Sequence, residues 1–383
     1  MPSAVSDRSI PRHVFMTVDT VGGVWTYALE LCKAFSRLRI HVSLVTLGRP
    51  ADAAQRAALR RLRNAEFYEA PFPLEWMEGA ANDFERSSAW LLSLAQRLQP
   101  DLIHLNGYWH AALDWEAPVV VVAHSCLLSW WAAVRKSDPL PARFAPYRDR
   151  VTDGLRRAHV VVAPSRAMLS EIERLYTPLE CGLVVPNART AQLFPAGKKE
   201  NLVLATGRLW DEAKNLALLD RFARRLPWPL YLAGDDVHPD GSRAEFRNVV
   251  NLGYVPAVQL APWFSRAAIY AAPARYEPFG LSVLEAALAG CALVLSDISS
   301  LRENWSGAAL FAPAGDGAAF ESAIRQLIED SARRRKLSAA AAARALHFSP
   351  SAMANGYLSA YHAASQRFAA AAPGAEERLV QCV

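Results

Sequence analysis

Short apolar runs separated by helical stretches occur in two successive series, and that alternation constrains the fold of this chain more than any other feature. The first series falls at 13–18, 42–47, 102–105, 119–123, 160–163 and 183–185. Strands that alternate with helices argue for a parallel, doubly wound sheet. The run Pro118-Val119-Val120-Val121-Val122-Ala123 is apolar without alternation, as in a strand covered on both faces, and is expected at the sheet centre. A second series begins near residue 201, at 202–206, 230–233, 249–252, 269–272 and 292–295.

Between the two series, 186–199 is rich in turn formers and charge and suits a linker, which places a boundary at about residue 190. Residues 1–190 are therefore expected to form one Rossmann-like domain and 191–348 a second. The Ala-rich stretch from Gly317 is helical in pattern and breaks at Ser349-Pro350, where proline can open a final helix over 349–371; residues 372–383 are expected to fray.

At 383 residues, 52% hydrophobic and 21% charged, the chain has the size and composition of two ordinary domains, which excludes a disordered or fibrous protein. The net charge of +5 is spread along the chain, which does not make the basic stripe of a nucleic-acid-binding protein. Cys32, Cys126, Cys181, Cys291 and Cys382 are scattered, odd in number and form no C-x-x-C pair. That pattern fits a reducing compartment and no zinc site. Residues 1–12 carry Asp7, Arg8 and Arg12 without an apolar signal-like run, and no apolar stretch is long enough to span a bilayer, so a cytoplasmic chain is expected. Arg56, Arg60, Arg61 and Arg63 lie on a short helical stretch. An ordinary solvated face is the first reading of it, and peripheral contact with the inner face of a membrane the second.

The first strand runs into Asp19-Thr20-Val21-Gly22-Gly23, ahead of a helix with Trp25, Ala28, Leu29, Cys32 and Phe35 on one side. Glycines at a strand-to-helix turn let backbone approach a ligand, and free N–H groups at a helix start attract phosphate, although a tight turn alone would use the same residues. After 202–206 come Gly207-Arg208-Leu209 and then Lys214-Asn215, two cations beyond the carboxyl end of a parallel strand, where open α/β sheets bind ligands. A guanidinium and an ammonium there suit a diphosphate.

Directly after 269–272 stands Pro273-Ala274-Arg275-Tyr276-Glu277-Pro278-Phe279-Gly280-Leu281, with Glu285 about a turn into the helix that starts near Leu281. Glu277 on the loop and Glu285 on the helix are expected to point from two elements towards one crevice. The N–H groups of Phe279 and Gly280 would lie at the helix start, suited to an anion or to sugar hydroxyls. Aromatic residues gather in the first half, at Tyr108-Trp109, Trp115, Trp130-Trp131 and Trp76, and their faces suit sugar rings where they are not core. His104 and His110 lack metal-ligand spacing.

Glu277-Pro-Phe-Gly-Leu with Glu285 eight positions on, Gly207-Arg208, Lys214-Asn215 and Gly22-Gly23 together resemble the retaining glycosyltransferases of family 4, over roughly residues 12–365. The resemblance implies the GT-B fold: two Rossmann-like, doubly wound parallel-sheet domains facing a central cleft, the first taking the acceptor, the second the nucleotide-sugar donor, with the C-terminal helix crossing back to the first domain. It implies that Arg208 and Lys214 neutralise the donor diphosphate with backbone contacts from Gly22 and Gly23, and that Glu285 holds the ribose hydroxyls. Glu277, with Phe279 and Gly280, would grip hydroxyls of the donor sugar. His124, ending the strand at 119–123, matches the histidine that approaches the transferred sugar. The chain departs from the family at Val24-Trp25-Thr26 and at Asn187-Ala188-Arg189-Thr190.

The expected activity is retaining, metal-independent sugar transfer from a nucleoside-diphosphate sugar to a hydroxyl of a carbohydrate, lipid-linked or small-molecule acceptor, in glycan, glycolipid or polysaccharide synthesis. No cofactor, no metal and no nucleic-acid partner are expected. A sugar-nucleotide epimerase and a nicotinamide oxidoreductase are the rivals. Absence of G-x-G-x-x-G counts against the second.

Overall fold

The computed structural model describes residues 10–371 except 78, 137 and 238–240; the tail at 372–383, Asp7, Arg8 and Cys382 lie outside the described residues. The chain divides into two compact units: the first holds the chain up to Ser129, Pro139–Pro186 and the part from Pro350 on, the second Trp130–Asp138 and Asn187–Ser349.

In the first unit β1 (His13–Asp19), β2 (His41–Leu47), β3 (Ala65–Glu69), β4 (Leu102–Leu105), β5 (Val119–Val122), β6 (Val160–Ala163) and β7 (Gly182–Val184) form one sheet in the order β3-β2-β1-β4-β5-β6-β7. Every pairing is parallel. The valine-rich strand β5 is fully buried but not the middle of the seven; β4 is, with His104 set against Val120. The edge strand β3 was not expected from the sequence, because its two glutamates and half-exposed positions interrupt the apolar signal.

In the second unit β8 (Glu200–Thr206), β9 (Leu230–Ala233), β10 (Val250–Asn251), β11 (Ala267–Ala272), β12 (Ala292–Ser296) and β13 (Ala309–Ala312) form a parallel sheet in the order β10-β9-β8-β11-β12-β13. Successive side chains of its strands enter opposite cores, Leu204, Tyr270, Leu293 and Leu295 on one face, Val203, Ala205, Ile269 and Val294 on the other. Each such side chain contributes about 1.5–3 kcal/mol of burial, which is why the strands carry almost no polar positions. Both units are Rossmann-like.

The final helix, Pro350–Ala371, belongs to the first unit and packs on the helix Gly23–Arg37: Tyr361 lies 5.9 Å from Phe35 and Tyr357 5.8 Å from Tyr27, ring to ring. Its Tyr361 hydroxyl reaches Nδ1 of the fully buried His104 at 2.7 Å. Thus the C-terminal crossing is tied to the centre of the first sheet by a polar contact as well as by aromatic packing.

The stretch expected as a linker is packed at its start, with Ala188 fully buried and Asn187 and Arg189 nearly so. The four arginines do not share a helix face. The helix Ala53–Leu59 contains only Arg56, which pairs with Glu69 at 2.6 Å, while Arg60, Arg61 and Arg63 follow its end. Among the described residues, no helix is long and apolar enough to cross a membrane. The four described cysteines are free thiols.

Glycine is required where the loops after β8 and β9 touch. A Cβ on Gly234 would stand 1.6 Å from the Gly207 carbonyl oxygen. Alanine there must displace backbone, so Gly234→Ala should cost about 3 kcal/mol, read as a lowered urea midpoint. An unchanged midpoint would mean the two loops are not in contact.

Candidate active site

In each sheet the strand order reverses once, between β1 and β4 in the first and between β8 and β11 in the second. Loops leaving the two strands at such a point diverge and open a crevice at their carboxyl ends, where open α/β sheets take ligands. Gly22, Gly207-Arg208, Lys214-Asn215 and Glu277 fall on those loops, whereas His124 follows β5 and Glu285 lies on the helix after β11.

In the second unit, Gly207 and Arg208 follow β8, and Lys214 and Asn215 end the same loop. The amide of the buried Asn215, at φ 53°, donates to the carbonyls of Pro273, at 2.9 Å, and Ala314, at 2.7 Å, which ties the loop after β8 to the loop after β11. Lys214 Nζ is thereby brought to 2.6 Å from Glu277 Oε2, with both side chains mostly covered. Arg208 donates to Asp211 Oδ2 at 3.1 Å through Nε and at 2.5 Å through a terminal nitrogen. Burial by itself would raise the Asp211 carboxyl; the charge and hydrogen bonds of Arg208 and the Ala213 N–H outweigh it and hold the pKa below the ordinary value. The Arg208 head remains 42% exposed, so the guanidinium is anchored on one side and open on the other.

Glu277 is fixed from behind, its carbonyl accepting from Ser300 Oγ at 2.5 Å. Gly280 caps the helix Leu281–Leu288 at φ 91°, a conformation that favours glycine, and lets the chain turn from β11 into that helix. The Phe279 side chain is buried, edge-on to Phe348 at 5.4 Å, and so anchors the loop in the core. Glu285, one turn into the helix, pairs with Arg189 at 2.7 Å, and the Arg189 guanidinium lies 4.9 Å over the Phe194 ring. The two glutamates do share one neighbourhood: both act on the buried hydroxyl of Tyr270 of β11, which meets Thr206 Oγ1 of β8 at 2.9 Å and whose pKa is raised, by burial first.

In the first unit, Gly22 at φ 72° caps the helix Gly23–Arg37, and both glycines are exposed. His124, after β5, meets Asn106 Oδ1 at 2.8 Å through Nε2. The Asn106 amide nitrogen donates to the Thr17 carbonyl at 2.6 Å, so its oxygen faces the ring and His124 carries its proton on Nε2. That leaves Nδ1 as an acceptor without a hydrogen-bond partner among the described residues. Burial holds the ring neutral by pushing its pKa well below the ordinary imidazole value. His104 is neutral for the same reason, with its pKa lowered to about 3 by burial and then by His124.

Several participants carry no sequence signal of their own: Asp211, Ser300, Tyr270, Thr206, Arg189 and Glu75. Glu75, beyond β3, accepts the N–H groups of Tyr108 and Trp109 at 2.9 and 3.0 Å through Oε2. Burial raises its pKa to about 7, against those two hydrogen bonds and with a smaller push from Asp19. Of the aromatic residues expected to face sugars, Tyr108, Trp109 and Trp115 are buried, whereas Trp76 is 47% exposed. Among the described residues no three His, Cys, Asp or Glu side chains gather as metal ligands; His110, for example, meets Ser87 Oγ at 2.9 Å.

Two Rossmann-like units with acid–base pairs at the switch point of the second define a protein of the nucleotide-binding doubly wound class. Comparison with known proteins narrows this. Residues 21–189 match the family model described as Glycosyltransferase Family 4, and residues 200–330 the one described as Glycosyl transferases group 1. The chain is 28% identical over 321 residues to the D-inositol 3-phosphate glycosyltransferase of Kineococcus radiotolerans, covering 70% of this chain and 73% of that protein. It is 29% identical over 225 residues to the O-antigen chain mannosyltransferase B of Escherichia coli, covering 51% of this chain and 58% of that one, less than two thirds of its length. Among solved structures, the sucrose-phosphate synthase of Thermosynechococcus elongatus superposes with TM-score 0.77 at 20% identity, covering 94% of this chain and 100% of that one. Anabaena HepE in complex with UDP-glucose superposes with TM-score 0.71 at 16% identity, covering 91% and 98%. The chain belongs to the family 4-type glycosyltransferases and has their GT-B fold.

Two stability measurements check this geometry. Arg189→Ala leaves Glu285 buried without its cation and should cost about 3 kcal/mol or more, most of it recovered when Glu285→Ala is added. Equal losses in the single and double variants would show the pair is not coupled. Glu75 binds its proton more tightly folded than unfolded, so its contribution is present at pH 4 and is lost as pH rises from about 4.5 towards 7. Glu75→Gln should therefore gain on the wild type by up to about 3 kcal/mol between pH 4 and pH 8, measured by urea unfolding at each pH. A difference that stays constant would place Glu75 in water.

Proposed function

We propose that the protein transfers a sugar from a nucleoside-diphosphate sugar to an acceptor hydroxyl with retention of configuration and without a metal, in the synthesis of a glycan, glycolipid or polysaccharide. The observation that carries this reading is the set Arg208, Lys214 and Glu277, drawn from the loops after β8 and β11 to one sheet edge, with Glu285 on the helix that follows. Two cations side by side suit a diphosphate, which gains charge as the sugar departs. Glu277 and the turn at Phe279 and Gly280 suit the sugar hydroxyls, and Glu285 the ribose. Gly22, Gly23 and His124 take the family roles of backbone contact to the diphosphate and approach to the transferred sugar. That the Anabaena protein was solved with UDP-glucose on the same fold supports a nucleotide-sugar donor.

In the reaction proposed, the bond between the anomeric carbon and the β-phosphate oxygen breaks, the acceptor oxygen bonds to the same face of that carbon, and its proton passes to the leaving phosphate. Arg208 and Lys214 stabilise the departing charge, each exchanging part of its contact with Asp211 or Glu277 for phosphate oxygens. Glu277 is a binding group in this scheme and not a nucleophile.

Thermal unfolding with UDP-, GDP-, ADP- and dTDP-sugars and with NAD(P) tests the reading. A donor at about 100 times its dissociation constant should add roughly 2.7 kcal/mol to the wild type and nothing to Arg208→Ala with Lys214→Ala. In turnover, each single substitution should lower kcat/KM by about 100- to 1000-fold. Stabilisation by NAD(P) alone, or by none of these nucleotides, would overturn it.

A further inference from the structure

The carboxyl edge of the first sheet holds a carboxylate that the reaction above does not use. Glu75 stands on the loop between β3 and the helix Phe84–Leu98, and its Oε2 is fixed by two consecutive N–H groups just beyond β4, at the point where the strand order reverses. Oε1 has no hydrogen-bond partner, and no lysine or arginine pairs with Glu75, among the described residues. A part-buried carboxylate that is held in place, uncompensated and half unused is arranged for something other than stability.

The loops around it are fastened to one another. Leu74 covers Gly48 beyond β2, the Tyr108 hydroxyl donates to the Ser125 carbonyl beyond β5 at 2.8 Å, and a Cβ on Gly107 would come within 3.3 Å of Glu75 Oε2. Asp19, at the end of β1, and Tyr147, on the helix Ala145–Arg157, are the titratable groups that act on Glu75 or feel it. Next to Glu75 in the chain, Trp76 leaves 47% of its surface in solvent, whereas Tyr108 and Trp109 are buried. An exposed indole one residue along the chain from a hydrogen-bond acceptor with a free lone-pair face is the chemistry that takes a ring with hydroxyls at its edge and C–H groups on its face.

We propose that Glu75 and Trp76 form the acceptor-binding site, Glu75 Oε1 accepting hydroxyl hydrogens of an uncharged sugar or cyclic polyol and Trp76 stacking on its C–H face. The assignment of this ring as acceptor rests on the transferase reading; the binding of the ring does not. The uncompensated carboxylate could also draw a cationic amino sugar, which the test separates.

Saturation-transfer-difference NMR on the full chain, with methyl α-D-glucopyranoside, methyl α-D-mannopyranoside, methyl β-D-galactopyranoside, myo-inositol and glucosamine at millimolar concentration, decides it. At least one uncharged ring should bind, with its signal reduced at least five-fold in both Glu75→Gln and Trp76→Ala. The glutamine carbonyl can still accept from Tyr108 and Trp109 and carries no charge to bury, and Trp76 is exposed, so at pH 7 Trp76→Ala should keep the wild-type unfolding midpoint, Glu75→Gln should match or exceed it, and both should keep the stabilisation by nucleoside diphosphate. The wild-type signal should weaken from pH 8 to pH 5.5 and that of Glu75→Gln should not. No binding of any uncharged ring, binding of glucosamine alone, or an unchanged signal in either variant would overturn the proposal. Loss of nucleotide stabilisation already in the wild type would instead remove the transferase reading, and the sugar signals would still decide the site.

Discussion

A parallel sheet whose strand order reverses once has one place where adjacent loops must part, and the rest of this molecule is arranged around that constraint. In the second unit the parting is between β8 and β11. Apolar side chains fill both faces of the sheet but cannot fill the crevice at its edge, because the backbone there leads away in two directions. Polar groups collect in it instead. Asn215 spans the gap with its amide, Tyr270 and Thr206 close its floor, and Gly207 and Gly234 let neighbouring loops approach to a distance no Cβ would allow.

Three cations of that crevice each have a carboxylate: Arg208 has Asp211, Lys214 has Glu277 and Arg189 has Glu285. Pairing lowers the penalty of bringing charge to a partly desolvated edge, and it fixes long side chains that would otherwise lose rotamer freedom on meeting a ligand. The pairs differ in what they leave open. Arg189 is covered on both sides, by Glu285 and by the face of Phe194, so it acts as scaffold. Arg208 keeps 42% of its surface in solvent while its partner is 4% exposed, so the aspartate is the fixed member and the guanidinium the presented one. In the reaction proposed above, a diphosphate arriving at this edge finds its donors oriented and replaces contacts instead of building them.

The second unit was the more legible in the sequence, for a physical reason. Glu277-Pro-Phe-Gly, Gly207-Arg208 and Lys214-Asn215 are local strings whose geometry is set by a turn or a strand end, and a string of that kind shows its use in one dimension. The partners that make the site work are not local. Asp211 is an ordinary loop aspartate until Arg208 turns onto it, Ser300 supports Glu277 from 23 positions away, and Arg189 lay in a stretch whose turn formers and charge suggested a linker. The packing of 187–189 against the second unit could be seen only once Glu285 and Phe194 were in place. The edge strand β3 was missed because its glutamates interrupt the apolar run, and β13 because its four residues, in an apolar run between a glycine and a proline, are too short to stand out. In the first unit the glycines and His124 were visible, but the acidic residue at the reversal point was not, since Leu74-Glu75-Trp76 matches no motif.

The contrast between the two edges separates structural charge from functional charge. Lys199 illustrates the structural kind: its ammonium donates to the carbonyls of Phe264 at 3.1 Å and Ala289 at 2.6 Å, at the ends of two helices, and burial lowers its pKa without any other group of the site depending on it. Its charge is spent within the protein. Glu75 is the reverse case, a carboxylate brought to a covered position with two neutral donors and, among the described residues, no paired cation, so that burial outweighs hydrogen bonding and its pKa rises to about 7. Two N–H donors would be satisfied equally by a neutral amide, so they do not account for an acid there. A charge that the fold stabilises incompletely, at the edge where the topology opens a crevice, is one whose remaining partner comes from outside the chain.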